Sequence, residues 1–294
     1  MDFSKRFLKK EFLFKEKPLI SVVTVVYNGA QHLEQAIQSV INQDYENIEY
    51  IIIDGGSTDG SVDIIRKYGE KIAYWVSEPD QGIFHAMNKG IKKATGDFIG
   101  ILNADDWYEP GIIRKVAAEA RKAKILAEIM GWSGWDVLYC DYYLYDEELS
   151  ADSKVKRFST REFWKGMSIL HQSMFVKRRV YEKLGDYNLE YRLAADYDFL
   201  LHMVNEGVEF VKIETHGVNF RRGGESTMRM RKSIREASKI NRQYFGFFSE
   251  KHFSFILNNH IPSVLGSLKL MSYKCLGRER TARLRKLWKS IKRT

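Results

Sequence analysis

The chain has 294 residues, a formal net charge of +9 and two cysteines, Cys140 and Cys275. Two cysteines are too few for a disulfide framework, which favours a reducing compartment. The length allows one sizeable core, or one domain with an appended piece. We find no signal peptide, no apolar stretch near the roughly 20 residues that cross a membrane, no GxGxxG, no Walker A loop, no HExxH and no paired CxxC. Dinucleotide-binding, P-loop and zinc-protease classes are therefore disfavoured.

The first hundred residues alternate between buried strands and amphipathic helices. Apolar β-branched runs predict strands, and apolar residues at i, i+3, i+4 and i+7 predict helices. The predicted elements are a strand over Leu19–Tyr27, a helix over Ala30–Asn42, a strand over Ile48–Ile53, a helix over Ser61–Tyr68 and a strand over Asp97–Leu102. Further along, a helix is predicted over Ile112–Met130 and a strand over Trp135–Tyr143. This order implies right-handed βαβ units and an open sheet covered by helices.

Polar side chains follow three of the predicted strands. Tyr27 and Asn28 follow the first strand, Asp54 follows the second, and Asp105 and Asp106 follow the apolar run of the fifth element. Ligands of such sheets bind beyond the carboxyl ends of the strands. Mg²⁺ and Mn²⁺ prefer oxygen ligands, and Mg²⁺ typically takes one or two carboxylates together with substrate phosphates. A solvated acidic turn and a helix-capping turn are the ordinary alternatives.

Four sequence blocks resemble the family 2 glycosyltransferases of the GT-A fold, in the branch that builds bacterial surface polysaccharides. They are Pro18–Asn28, Asp54–Gly60, Ser77–Gly90 and Leu102–Asp106, the last being similar to the family's metal-binding DXD motif. The resemblance implies an α/β, Rossmann-like, open and mostly parallel sheet flanked by helices. It also implies an enzyme that uses a nucleotide-sugar.

The resemblance carries specific roles onto residues of this chain. Asp54 would contact the base, Asp105 the ribose, and Asp106 the Mn²⁺ or Mg²⁺ that bridges the diphosphate. The full set of nucleotide-sugar contacts that it implies is Thr24, Tyr27, Asn28, Asp54, Asp80, Gly82, Asn88, Asp105, His171 and Gln172. Gly82 would allow close backbone approach. A metal that neutralises the leaving nucleotide acts as a Lewis acid.

Two motifs in the second half have a functional and an ordinary interpretation. The resemblance puts His171 and Gln172 beside the donor sugar, whereas a lone histidine is as often a satisfied, partly buried side chain. Arg221 and Arg222 precede Gly223-Gly224, and this loop either closes over a diphosphate or is solvated.

Asp196 is the predicted catalytic base. The family usually has Glu-Asp at the start of a helix here, and this chain has Ala195-Asp196, so the Glu is missing. Asp198 is the fallback, and helix capping is the ordinary alternative for Asp196. A carboxylate in a partly desolvated cleft can take a proton from an acceptor hydroxyl. One base without a covalent nucleophile implies inversion at the anomeric carbon.

The resulting hypothesis is an inverting, metal-dependent glycosyltransferase. It would move a sugar from a nucleotide-diphosphate donor to a saccharide acceptor, lipid-linked, in the synthesis of O-antigen, capsule or exopolysaccharide. UDP is the commonest donor in the similar enzymes, and guanine and thymine stay open because an acid accepts from the ring N–H of each. The alternative is a non-catalytic nucleotide-sugar-binding subunit with the same fold.

The positive charge is concentrated in the C-terminal region. From Arg229 onward there are 17 Lys/Arg and 3 Asp/Glu, a surplus of 14, which leaves about −5 for the rest. Arg278–Arg293 has the pattern of a basic amphipathic helix with a Trp, and Tyr244–Leu270 is rich in Phe. Such a helix lies on a membrane surface or packs on its own domain. Few aromatics separate its charges, which argues against nucleic acid.

The expected organisation is therefore a lead segment over 1–17, a catalytic domain over 18–228 and a basic helical region over 229–294. The expected location is cytoplasmic, peripheral at the inner face of the cytoplasmic membrane, through the basic C-terminal helix.

Overall fold

The computed structural model describes residues 17–130, 134–145, 160–167, 169–223, 229–247, 249–252, 254–256 and 259. Contacts divide them into two compact units. The first unit lies within Met1–Phe163 and Met167–Met228, and the second within Trp164–Gly166 and Arg229–Thr294. The three predicted domains stay a prediction.

The first unit is built on one sheet of eight strands. The strands are β1 (Ile20–Val26), β2 (Ile48–Asp54), β3 (Tyr74–Ser77), β4 (Phe98–Asn103), β5 (Trp107–Tyr108), β6 (Val137–Tyr145), β7 (Met174–Lys177) and β8 (Phe210–Arg221). Their order across the sheet is β3-β2-β1-β4-β7-β6-β8-β5. The first four in this order are mutually parallel, while β7 and β5 run antiparallel to their neighbours.

Besides helical residues at 250–252, 254–256 and 259, seven helices have defined bounds among the described residues. They are α1 (Ala30–Ile41), α2 (Ser61–Lys67), α3 (Ile83–Lys93), α4 (Ile112–Met130), α5 (Arg178–Leu184) and α6 (Ala195–Asn205) in the first unit, and α7 (Met230–Phe245) in the second. Short 3-10 turns cover Gly69–Lys71, Thr160–Lys165 and His171–Ser173.

Burial explains why the central strands form where they do. All seven residues of β1 are buried, as expected for a strand covered by helices on both faces. Helix α3 packs closely on this strand. The closeness is evident at Gly90, where an added Cβ would lie 2.2 Å from Cγ1 of Val23. The hydrophobic core thus forms beneath the carboxyl ends of β1, β2 and β4.

The expected α/β class and the open, mostly parallel sheet are confirmed. One local expectation is wrong: Asp196 is not a helix cap, because Ala194 is the N-cap of α6 and no side chain bonds there. Within the described part of the chain, no helix is long and apolar enough to cross a membrane. The basic helix predicted over 278–293 lies outside the described residues.

Candidate active site

The carboxyl ends of three parallel strands meet at one edge of the sheet. The register pairs Val26 at the end of β1 with Asp54 at the end of β2, and it pairs Val25 with Asn103 at the end of β4. Residues that follow these three strands therefore lie side by side, as the alternating pattern predicted. This rim holds most of the candidate residues.

Tyr27 and Asp80 approach each other on the rim. The Tyr27 side chain is 67% exposed, which is unusual for a large aromatic. A Cβ on Gly55 would lie 2.5 Å from Oδ2 of Asp80 and 3.4 Å from the Tyr27 ring, so these two side chains meet over this glycine. The other Asp80 oxygen accepts a hydrogen bond from the Gly82 amide at 2.7 Å. The missing side chain at Gly55 therefore lets the Tyr27 ring and the Asp80 carboxylate approach each other.

Asp54 lies beneath the rim and organises its turn. It is fully buried, and its Oδ2 accepts bonds from the amides of Gly56 and Ser57 and from the Ser77 hydroxyl at 2.6 Å. The Ser57 hydroxyl donates to Oδ1. All of these partners belong to the protein, so Asp54 shapes the rim in this state. Its predicted contact with the base stays a prediction.

Asn28 and Gly82 hold backbone conformations that few residues adopt. Asn28 has φ of 49°, and its side chain accepts a bond from the Thr58 amide at 2.9 Å. Gly82 precedes α3 with φ of 120°, and no atom lies within 4 Å of a Cβ built on it. A side chain at position 82 would therefore be strained by the backbone rather than by crowding. Both residues set the shape of the rim.

Thr24 and Asn88 are packing residues in this structure. Thr24 is fully buried and its hydroxyl accepts a bond from the Tyr50 hydroxyl at 3.1 Å. Asn88 is 6% exposed, and both ends of its amide bond the backbone of Tyr187, at 2.9 and 3.0 Å. The expected nucleotide contacts of these two residues stay a prediction, since both side chains are already hydrogen-bonded within the protein. Asn88 instead ties the segment before α6 to α3.

The adjacent acids have different surroundings. Asp106 is 1% exposed; its Oδ1 accepts from the Arg221 amide at 2.9 Å and its Oδ2 from the Gln172 side chain at 2.8 Å. Burial raises the pKa of Asp106 well above its usual range, and the neighbouring Asp105 charge raises it further. Asp105 is only partly buried, and burial also raises its pKa. Asp105 is therefore the acid of the pair that a ligand can reach.

The donor set at these acids fits a divalent cation. Asp105 and Asp106 are neighbouring carboxyl groups, and each has a raised pKa. A bound cation would stabilise the ionised form of both. Among the described residues no three His, Cys, Asp or Glu side chains converge. A cation here would thus take one or two carboxylates and complete its shell with phosphate oxygens and water.

His171 joins the predicted base to the strand end. Its Nδ1 lies 3.2 Å from Oδ2 of Asp196, and its Nε2 lies 3.3 Å from Oδ1 of Asn103. Both side chains of the His171–Asp196 pair are mostly buried, 10% and 18% exposed. Because Asn103 precedes Asp105 by two residues, one imidazole ring spans from the base candidate to the acidic rim. The sequence interpretation missed Asn103, although its place just before the acids was a signal.

Gln172 and Arg221 support the acids from below. Gln172 is 1% exposed, and its Oε1 has no hydrogen-bond partner among the described residues. Arg221 is 8% exposed, lies 5.0 Å from the Trp107 ring and 5.1 Å from the Tyr145 ring, and donates to the Asp105 carbonyl. Arg221 is thus not solvated, whereas Arg222 is exposed, and closure of this loop over a diphosphate stays a prediction.

The chain belongs to glycosyl transferase family 2, whose model matches residues 21–185. It is 35% identical over 187 residues to an uncharacterized glycosyltransferase of Mycobacterium tuberculosis, covering 63% of this chain and 68% of that one. TarS 1–349 of S. aureus, in complex with UDP-GlcNAc, aligns with a TM-score of 0.62 at 15% identity over 89% of this chain and 77% of that one. The mannosyltransferase PcManGT from Pyrobaculum calidifontis, in complex with GDP-Man and Mn2+, aligns with a TM-score of 0.57 at 18% identity over 98% and 87%. The two structures share the fold.

Proposed function

We propose that this chain is an inverting glycosyltransferase that transfers a sugar from a nucleotide-diphosphate donor, a UDP-sugar, to a lipid-linked saccharide in the synthesis of a bacterial surface glycan. The observation that carries the proposal is the His171 bridge. It connects Asp196 with Asn103, two residues before Asp105. A proton acceptor and an acidic rim for a diphosphate donor are thereby neighbours, as a single-displacement transfer needs.

Each residue has a distinct task in the proposed reaction. Tyr27 and Asp80 receive the base of the nucleotide, the ring by stacking and the carboxylate by accepting from a ring N–H. Asp196 takes the proton of the acceptor hydroxyl as that oxygen attacks the anomeric carbon. His171 holds the Asp196 carboxylate in place. The pair of acids would hold Mn²⁺ or Mg²⁺, which supplies Lewis-acid neutralisation of the leaving diphosphate.

The assignment within the acidic pair departs from the sequence expectation. Asp106 has both carboxylate oxygens in hydrogen bonds with Gln172 and Arg221, whereas Asp105 is partly exposed. We therefore propose that Asp105 meets the cation, with Asp106 below it as the second acid that orients the rim. A complex of a structural relative with GDP-Man and Mn2+ supports a metal in this fold. A relative bound to UDP-GlcNAc supports uridine as the base.

A thermal-shift screen of UDP, GDP, dTDP and CDP, each with and without Mn²⁺, tests the donor site. A ligand present at a hundred times its Kd stabilises a folded protein by about 2.7 kcal/mol. We expect a metal-dependent shift with UDP that Asp105→Asn abolishes. A shift of equal size with and without Mn²⁺, or one equal for all four nucleotides, would contradict the proposal.

The Asp196→Asn variant separates the enzyme from a non-catalytic binding subunit. Ala195 stands where the family has Glu, and it is fully buried, so this departure changes packing rather than the surface of the site. We expect turnover to fall by about 10²–10⁴, the usual contribution of a general base. Binding of UDP should be unchanged. A wild-type protein that binds UDP without any turnover would favour the subunit, and unchanged turnover in the variant would contradict Asp196 as the base.

A further inference from the structure

The second unit contains a groove lined by its own residues and by none of the candidate site residues. It measures about 440 Å³ and is lined by Arg235, Ser238, Lys239, Arg242, Phe247, His252 and Ile256. Arg235, Lys239 and Arg242 stand at i, i+4 and i+7 on α7, so their side chains share one face of that helix. Three cations thus border one side of the groove.

The groove also has an apolar part. Phe247 is 58% exposed, and Ile256 lines the groove with it. The Arg242 guanidinium lies 6.0 Å from the Phe247 ring, so a cation and an exposed aromatic face are adjacent. An exposed ring beside positive charge suits a molecule with both an anionic group and a hydrocarbon part.

Buried hydrogen bonds fix the floor of the groove. Asn241 is fully buried, and its Nδ2 donates to the Trp164 carbonyl at 2.9 Å, which sets the orientation of the amide. Its Oδ1 lies 2.9 Å from Nδ1 of His252, so Nδ1 is the protonated ring nitrogen. His252 is 3% exposed and is held in this position. A pre-organised floor loses little freedom when a ligand binds.

The charge of the unit selects an anion. Among the residues that the structure describes in this unit, eight are Lys or Arg and two are Glu. A basic surface with aliphatic and aromatic side chains is the kind of surface that binds anionic phospholipids. We infer that this groove binds the phosphate headgroup and proximal acyl chain of an anionic phospholipid. The inference shares only a membrane location with the proposed function and does not depend on the transfer reaction.

Short-chain lipid monomers test the groove in the full chain. Calorimetric titration with dihexanoyl phosphatidylglycerol, below its micelle concentration, should show binding, and dihexanoyl phosphatidylcholine should bind at least tenfold more weakly. Lipid monomers form no charged bilayer surface. The basic segment Arg278–Arg293, which would be attracted by such a surface, should therefore contribute little to the measured binding. If phosphatidylglycerol does not bind, the inference is wrong, and the UDP-binding and turnover tests of the proposed function are unaffected.

Two triple variants of equal charge make the test specific. Arg235→Gln, Lys239→Gln and Arg242→Gln together should weaken phosphatidylglycerol binding at least tenfold, and so should Phe247→Ala alone. The control triple variant has Gln in place of three cations at the start of the same helix, Arg229 (its N-cap), Arg231 and Lys232. These three do not line the groove, so the control should bind as wild type. Equal losses in both triple variants would overturn the inference in favour of general charge attraction. Inorganic phosphate binding equally well, without dependence on Phe247, would overturn it in favour of a simple anion site.

Discussion

Asp105 and Asp106 are adjacent in the chain, yet only one of them faces solvent. Asp106 is held by Gln172 and by the Arg221 backbone, and its carboxyl has a strongly raised pKa because it is buried. A charge at this position is therefore unfavourable in the folded protein without a cation. The site keeps this unfavourable charge where a metal and a diphosphate would compensate it.

Asp106→Asn should stabilise the metal-free protein at pH 8. The pKa of Asp106 in the folded protein lies above the unfolded value of about 3.9. The stability that the protonated carboxyl contributes is therefore fully present below about pH 4, and it is lost as the pH rises through the folded pKa. The new amide can be accommodated, because Gln172 can turn its unpartnered Oε1 toward it. Urea unfolding with EDTA should show a gain at pH 8 that disappears near pH 4.

Glu70→Gln is the matched control for this prediction, since Glu70 is an exposed acid in the 3-10 turn Gly69–Lys71. It should change stability little at either pH. A destabilised Asp106→Asn protein at pH 8 would mean that the charged carboxylate is required by its two donors.

His171→Gln should lower kcat without weakening donor binding. The imidazole orients the Asp196 carboxylate at 3.2 Å, and a displacement of the base by about 1 Å costs on the order of 10²-fold in rate. We expect a loss of about 10- to 100-fold in kcat, an unchanged Kd for UDP with Mn²⁺, and an altered acidic limb of the pH profile of kcat.

The control is His202→Gln, in the last turn of α6, the helix that carries Asp196. This variant should keep the wild-type kcat and pH profile. If His171→Gln instead raises the KM for the donor at constant kcat, His171 contacts the sugar, as the resemblance alone suggested.

At the scale of elements, helix α3 approaches β1 so closely that only a residue without Cβ fits at position 90. Gly90→Ala would place Cβ 2.2 Å from Cγ1 of Val23. Alanine normally favours a helix over glycine by about 1 kcal/mol. We nevertheless expect a loss of about 1–3 kcal/mol in the free energy of unfolding, because overpacking a buried contact outweighs that propensity.

Denaturant unfolding of four variants checks this expectation: Gly90→Ala, Val23→Ala, the two together, and Gly69→Ala. Val23→Ala in the Gly90→Ala background should recover part of the loss, giving a favourable interaction energy in a double-mutant cycle. Gly69→Ala, where no atom lies within 4 Å of the added Cβ, should be nearly neutral. Additive effects of the two core changes would show that the helix shifts to relieve the contact.

A second element-level contact joins β6 and β8. Cys140 stands in β6 and is 1% exposed. A Cβ on Gly217 of β8 would lie 2.6 Å from its Sγ, so the neighbouring strand provides the space that the cysteine fills. Burial raises the pKa of the Cys140 thiol to about 12, which keeps it protonated and unreactive at neutral pH.

At the scale of the whole molecule, charge is divided along the chain. The region from Arg229 onward has a surplus of 14 positive charges, and the rest is mildly acidic at about −5. Segment Arg278–Thr294 alone contributes eight Lys/Arg and one Asp/Glu. Attraction to an anionic bilayer adds about 1 kcal/mol for each basic residue near the surface and is screened by salt.

Deletion of Arg278–Thr294 should lower partitioning to phosphatidylglycerol vesicles at least tenfold at low salt, measured by co-sedimentation. The wild-type protein should lose most of its binding at 0.5 M NaCl. Binding of UDP should be unaffected by the deletion. Unchanged partitioning of the shortened protein would rule out this segment as the membrane contact.

The sequence by itself determined the fold class and the rim of polar residues. Hydrophobic periodicity and strand ends are local properties, so β1, β2, β4 and α4 could be predicted to within two residues. The place of Asp54, Asp105 and Asp106 after buried strands followed from the same pattern. The family was recognisable because its motif blocks are contiguous in sequence.

Only the tertiary structure decided which of these side chains a ligand can reach. Thr24 and Asn88 proved to be buried, Asp80 proved to lie over Gly55, and Arg221 proved to lie beside two aromatic rings. The contact of His171 with Asp196 and Asn103 joins residues 25 and 68 positions apart. Burial and long-range hydrogen bonds depend on how strands and helices pack, and no local pattern in the sequence contains that information.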